Sequence, residues 1–272
     1  MFLSETKWLL RKRGINPNRF LGQNFLVDSS FFHKMENYAK LSKDDVVLDV
    51  GAGFGFLTRY LSGRCKRVIA VEKDPRIVGV LRTQLKNLTN VTIISGDVLN
   101  ASFSDFDKVV SIPPYYLSSS LLVWLFNRNF ECSVLILQKE FGDRLVAPIG
   151  TENYGWLTVF AYFNAEITLL DPVPRSAFFP QPTVNSVIVL LKPRKESQFE
   201  LRDSSIFKQM VRSLFAQRNK KVVNALIPFL KNTLHRSSEE TEQIAQVIPF
   251  LDQRVRTLPP ENFGVLANAI IN

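Results

Sequence analysis

From residue 44 onward the chain alternates short β-branched and aliphatic runs with stretches whose apolar positions recur every three to four residues. The runs at 46–50, 67–72, 91–95, 108–112, 133–138, 160–169 and 186–191 read as strands. Between the first five lie helical patterns over 57–62, 76–88 and 119–127. Strand, helix, strand repeated in this way predicts an α/β fold with a mostly parallel, seven-stranded sheet covered by helices on both faces. The last two strands follow each other without a clear helix between them, so the sheet is expected to end in an antiparallel pair. A polar, proline-broken stretch at 192–197 marks a domain boundary, and the patterns beyond it, over 205–217, 221–234, 239–247 and 260–271, are helical only. Ahead of the first strand, residues 8–13 fit a short helix that Asn16–Pro17 stops. The expected organisation is a basic extension over 1–17, an α/β domain over 18–192 and a small all-helical domain over 193–272.

Composition narrows the class. With 46% hydrophobic and 22% charged residues in 272, the chain has the proportions of a globular protein. Its longest unbroken apolar run, 121–126, falls far short of the ~20 residues of a membrane span. No secretory signal opens it, because Glu5, Lys7 and Arg11–Lys12–Arg13 break up the early apolar residues. Cys65 and Cys132 cannot staple a fold of this size and fit a reduced cytoplasm. With His33 and His235 as the only histidines, neither a zinc site nor a serine–histidine triad is expected.

Charge adds a partner class. There are 34 Lys and Arg against 25 Asp and Glu, a net +9. The excess is spread: 22 cations face 17 acids up to Lys192, and 12 face 8 beyond it. Such a balance attracts polyanions, nucleic acid first among them. Two clusters stand out: Arg11, Lys12 and Arg13 within the carboxylate-free stretch from Lys7 to Arg19, and Arg212, Arg218, Lys220 and Lys221 around a helix break. Each reads either as contact with RNA phosphates or as a solvated helix face. The three tryptophans, Trp8, Trp124 and Trp156, are expected in or at the edge of the core.

The chemistry begins directly after the first sheet strand, in Asp49-Val50-Gly51-Ala52-Gly53-Phe54-Gly55. Glycines at that point let the backbone turn tightly and approach a ligand, with the next helix's N-terminus facing it. Glu72 ends the second strand, where a carboxylate in a doubly wound sheet hydrogen-bonds ribose hydroxyls. Asp97 follows the third strand, placed for the adenine end of the same ligand. The glycine spacing is G-x-G-x-G with an acid two residues ahead, not the G-x-G-x-x-G of dinucleotide folds. It looks like the S-adenosylmethionine loop of Rossmann-like methyltransferases.

The fourth strand runs into Ser111-Ile112-Pro113-Pro114-Tyr115-Tyr116, a stiff turn ending in aromatics at the ligand-binding edge of the sheet. It resembles the Asp/Asn-Pro-Pro-Tyr loop of methyltransferases that act on exocyclic amines of bases. Together with Phe20-Leu21-Gly22-Gln23-Asn24-Phe25-Leu26 and Ser176-Ala177-Phe178-Phe179-Pro180-Gln181-Pro182-Thr183-Val184-Asn185-Ser186, the chain resembles, over nearly its whole length, the KsgA family of small-subunit ribosomal RNA adenine dimethyltransferases, relatives of the Erm-type enzymes. The resemblance implies S-adenosylmethionine held by Asn24, Leu26, Gly51, Gly53, Glu72, Asp97 and Ile112. It implies a target adenine held by Tyr115 and by Phe178 or Phe179, with the Ile112–Pro113 backbone as amine acceptor. It further implies small-subunit ribosomal RNA, or the immature subunit, as partner in the cytoplasm, with a monomer as the default state and two adjacent adenines each methylated twice.

One position departs from the family pattern. Counting back from Tyr115 puts Ile112 where the loop asparagine stands. A side-chain acceptor for the amine is therefore missing, and loss of a positioned polar contact of this kind costs roughly 10²–10³ in rate. Strand alternation points Ser111 the other way. Two outcomes follow: an enzyme that tolerates the change, or an RNA-binding ribosome-assembly factor with weak or no methylation. Methylation of large-subunit RNA or of DNA is a further alternative.

Overall fold

The computed structural model describes residues 2–18, 22–194 and 200–271. Arg19, Phe20, Leu21 and residues 195–197, which the sequence reading touches, lie outside them. In chain order the elements begin with α1 (Leu3–Lys12), β1 (Phe25–Leu26) and α2 (Ser30–Ala39), and continue with β2 (Val46–Val50), α3 (Phe56–Ser62), β3 (Arg67–Glu72), α4 (Pro75–Leu85) and β4 (Val91–Ser95). Next come β5 (Lys108–Ser111), a 3₁₀ turn at Tyr115–Leu117, α5 (Ser118–Leu125), β6 (Cys132–Gln138) and α6 (Lys139–Leu145). They are followed by α7 (Trp156–Asn164), β7 (Ala165–Val173), β8 (Phe178–Phe179) and β9 (Ser186–Pro193). Last are α8 (Ser204–Phe215), α9 (Val222–Asn232), α10 (Ser238–Val247) and α11 (Pro260–Ala269).

Seven strands form one sheet in the order β4-β3-β2-β5-β6-β9-β7. β4, β3, β2, β5 and β6 run parallel, β9 runs antiparallel to β6, and β7 lies beside β9 at the sheet's edge. Val47, Leu48, Val68, Ile69, Val109, Val110, Val134 and Leu135 are all at most 1% exposed. Strands covered on both faces need such continuous apolar runs, which is why the sequence showed them so clearly. The chain builds outward from β2 to β4, then crosses back to lay β5 on the other side of β2. The strand order therefore reverses between β2 and β5, and the crevice at their C-terminal ends is the ligand position in open α/β sheets.

Several elements differ from expectation, α6 and the two-residue strands β1 and β8 among them. The run at 160–169 is not one strand: α7 continues to Asn164 and β7 starts at Ala165. The β-rich Phe-Ala-Tyr-Phe at its start is overridden by a helix that begins upstream, where the Gly155 N–H donates to Thr158 Oγ1 at 3.2 Å. α2 is not among the expected helices, although Phe31, Phe32, Met35 and Ala39 are buried at helical spacing. The chain folds as two compact units. One comprises residues 1–142 and 167–193; the other comprises 143–166 and 194–272, so it holds α7 as well as the C-terminal helices. The N-terminal residues are not a detached extension, because Leu9 and Leu10 of α1 join the first unit's core. Among the described residues no helix is long and apolar enough to cross a membrane, and no group of three or more His, Cys, Asp or Glu side chains is arranged to hold a metal ion.

Candidate functional site

At the reversal point lies a cleft of about 1030 Å³, counted out to solvent, walled entirely by the first unit. Its floor is the turn after β2. Gly51 sits there at φ +74°, a left-handed conformation that a side chain disfavours, and a Cβ on it would meet Pro114 Cδ at 2.7 Å. The two loops at the strand ends are thus in direct contact only because residue 51 is glycine. Gly55, at φ +84°, starts α3 against Leu81 and Leu85 of α4, where a Cβ would lie 2.6 Å from Leu81 Cδ1.

The acid at the end of β3 is built into that turn. Glu72 accepts the Gly53 N–H on Oε2 (3.0 Å) and the Asp74 N–H on Oε1 (2.9 Å). Burial raises its pKa above the ordinary carboxylate value, against the pull of those N–H groups. Asp97 behaves oppositely. Burial pushes it up, but the Leu99 N–H at 3.0 Å and the Lys73 ammonium at 3.0 Å outweigh that and hold it low. Asp49 is buried beneath the turn, accepting the Thr58 hydroxyl at 2.7 Å. Burial pushes its pKa up to about 7, with the Glu72 charge adding to the rise.

The roof is the segment before α2. β1 pairs antiparallel with β8, matching Phe25 with Phe179 and Leu26 with Phe178. The Phe25 ring stacks on Phe54 at 4.3 Å between centroids. Gln23 accepts the Asn18 N–H at 2.8 Å and donates to Asp74 Oδ2 at 2.8 Å. Asp74 in turn caps α4 through the Arg76 N–H. The Arg76 guanidinium beside it brings its pKa down to about 2, with the Gln23 amide assisting.

At the mouth, Ile112, Pro113, Tyr115 and Phe178 line the cleft with Tyr116 beside them. The Tyr115 hydroxyl is 2.7 Å from Ser186 Oγ. Ser111 is turned away: its hydroxyl donates to Val50 O at 2.6 Å and accepts the Val50 N–H at 3.0 Å. The cleft thus brings together Asn24, Leu26, Gly51, Gly53, Glu72, Asp97, Ile112, Pro113, Tyr115 and Phe178. Of the two aromatics left open by the sequence, Phe178 lines it and Phe179 does not; Phe179 carries the Lys7 ammonium 5.2 Å over its ring. Gln23, Asp74 and Tyr116 line the cleft without having been singled out as site residues. For Asp74 a signal was present, since Asp before Pro is a helix-start pattern.

The basic residues divide. Arg11, Lys12 and Arg13 are exposed at the end of α1. In the second unit, Arg218 donates to the carbonyls of Glu152 (2.7 Å) and Thr151 (2.8 Å), and Lys221 pairs with Asp252 at 2.7 Å. Arg212 lies over the Trp156 ring at 4.4 Å, and Lys220 is exposed. Three members of that cluster therefore have partners within the unit. Of the tryptophans, Trp124 is buried as expected, whereas Trp8 is 53% exposed, because the inward face of α1 is taken by Thr6, Leu9 and Leu10.

The fit to a nucleoside-bearing cofactor rests on these contacts. Glu72 accepts backbone N–H groups from Gly53, Asp74 and Lys73 and, with about four acceptor sites on a carboxylate, keeps capacity for a ribose hydroxyl, while the glycine turn leaves room where side chains would intrude. The ribosomal RNA adenine dimethylase profile matches residues 14–262. A probable ribosomal RNA small subunit methyltransferase A of Methanosarcina acetivorans is 38% identical over 97% of both chains. The ribosomal RNA small subunit methyltransferase A of a Geobacillus species is 35% identical over 97% of this chain and 95% of its own. Among solved structures, a dimethyladenosine transferase from Plasmodium falciparum superposes with a TM-score of 0.77 at 26% identity, covering 89% of this chain and 95% of that one. The 23S rRNA methyltransferase ErmE superposes at 0.65, also at 26% identity, over 92% of this chain and all of that one. With a profile spanning nearly the whole sequence and relatives more than a third identical from end to end, the chain belongs to the ribosomal RNA adenine dimethylase family of methyltransferases.

Proposed function

We infer that the protein transfers methyl groups from S-adenosylmethionine to the exocyclic amine of adenines in small-subunit ribosomal RNA, two adjacent adenines twice each, during ribosome biogenesis in the cytoplasm. The observation that carries this reading is one cleft bordered by the Gly51 turn, Glu72, Asp97, Tyr115 and Phe178. When bound, S-adenosylmethionine would supply a methyl group on a positively charged sulfur; as the amine lone pair bonded to that carbon, the carbon–sulfur bond would break to leave a neutral thioether, and one amine proton would pass to water. Glu72 receives the ribose hydroxyls, Asp97 the adenine end, and Asn24 and Leu26 close over the cofactor. Tyr115 and Phe178 flank an adenine drawn out of its strand. The amine lone pair is delocalised into the ring, and the Pro113 carbonyl, accepting an amine hydrogen, returns density to nitrogen. Ile112 offers only its backbone there. What remains is positioning of amine against methyl, which by itself supplies a large part of such a rate. The methyltransferase names of relatives along the whole chain favour catalysis over a purely structural assembly role.

The test is incubation with labelled S-adenosylmethionine and immature small subunits, followed by mapping of modified adenines. Label in N6-dimethyladenine at adjacent positions is the expected result. Cofactor binding without label in RNA would instead establish the assembly role, and failure to bind the cofactor would sink the reading.

A further inference from the structure

Only two aromatic side chains are exposed among the described residues, Trp8 at 53% and Tyr116 at 50%. Tyr116 stands at the cleft. Trp8 stands on α1, whose exposed residues are Ser4, Lys7, Trp8, Arg11 and Lys12, with the half-exposed Glu5 paired to Arg59, while Thr6, Leu9 and Leu10 point inward. The helix adjoins the site: the Lys7 ammonium lies 5.2 Å over the Phe179 ring, and Phe179 is followed back along β8 by Phe178 in the cleft wall. α1 thus packs beside β8 on the side of Phe179, while Phe178 of the same two-residue strand lines the cleft.

A large indole left in solvent on a cationic helix, beside a cleft that takes a single base, has the composition of a single-strand platform. Such platforms combine cations that follow the phosphates with aromatic faces on which bases stack. The Lys12 ammonium, 4.3 Å from the Trp8 ring centroid, makes the kind of weak surface contact that exchanges readily. An incoming base can take the ring face while the ammonium moves to the adjoining phosphate.

We propose that α1 is the landing strip for the single-stranded RNA flanking the target adenine, with Trp8 stacking on one of its bases and Lys7, Arg11 and Lys12 on its phosphates. This deepens the RNA-methylating reading and rests on it. The partner is RNA and not protein, because the exposed charges of the helix are all cations, its one carboxylate, Glu5, is already paired with Arg59 at 3.7 Å, and its aromatic is isolated instead of part of an apolar patch.

The experiment titrates the full chain with a single-stranded adenine-containing oligoribonucleotide and, separately, with immature small subunits. Trp8→Ala is expected to weaken oligoribonucleotide binding roughly 5- to 150-fold, the range for loss of one base–aromatic stack. Trp8→Phe should keep most of the affinity, and the Trp8 emission should be quenched by RNA in the wild type. Thermal melting of Trp8→Ala, expected near wild type since the side chain lies outward, reports on folding. If Trp8→Ala binds the oligoribonucleotide like wild type, the platform is wrong, whereas methylation by the wild type leaves the functional reading standing. Loss of subunit binding with oligoribonucleotide binding intact would mean a protein partner and would overturn the proposal. A wild type that binds neither RNA nor subunit overturns both readings.

Discussion

The Tyr115 hydroxyl and Ser186 Oγ, 2.7 Å apart, join the loop after β5 to the first residue of β9. Ser186 is fully buried and paired with Gln138 of β6, so it is an anchor set by the sheet. Burial raises the Tyr115 pKa above the usual phenol value, so the hydroxyl stays neutral and the bond fixes the ring's attitude. Ser186→Ala and Tyr115→Phe should each lower kcat about 2- to 10-fold, the worth of one neutral hydrogen bond, with cofactor affinity unchanged. The double variant should cost no more than either single. Additive losses would show that the two side chains act separately.

Ile112 borders the cleft without a side-chain acceptor. Ile112→Asn restores one and is expected to raise kcat for RNA methylation or leave it unchanged. A large loss, measured as label per subunit per minute, would mean that position 112 is not where the amine is held.

Glu72 is the one carboxylate that both anchors the Gly53 and Asp74 N–H groups and faces the cleft. Glu72→Ala should weaken S-adenosylmethionine binding roughly 10- to 150-fold by calorimetry, as expected for hydrogen bonds to a charged group. Gly51→Ala should have a similar effect by another route, since its Cβ would press on Pro114. Unchanged affinity in both variants would remove the cofactor from this turn.

Asp49 makes stability depend on pH. Its carboxyl titrates at about 7 when folded and in the ordinary carboxylate range, near 3.8, when unfolded. Between those values the native state holds a proton that the unfolded chain has released. The group's contribution therefore becomes less favourable as pH rises from about 4 and levels off above about 7. Asp49→Asn still offers Thr58 an oxygen and removes this slope. Cofactor-free melting temperatures should show the variant gaining on wild type between pH 5 and 8. Parallel curves would place the Asp49 carboxyl in a wetter setting than its burial implies.

Much was legible in the sequence because the sheet is covered on both faces. β2, β3 and β4 fall at the residues their apolar runs marked, and Gly51, Glu72 and Asp97 follow from strand-end positions alone. Local pattern was enough there, since each residue's place in the cleft depends on the strand it ends. Three features were not written locally. The run at 160–169 has strand composition, yet its first half is helix in the second compact unit, where burial of Leu157, Val159 and Phe160 outweighs β propensity. The choice between Phe178 and Phe179 is not written locally, because successive strand residues face opposite ways and only the folded chain puts Phe178 in the cleft wall. Trp8 reads as a core residue from its type. Its exposure was decided by which side of α1 Leu9 and Leu10 present to the rest of the unit, a matter of packing between segments distant in sequence.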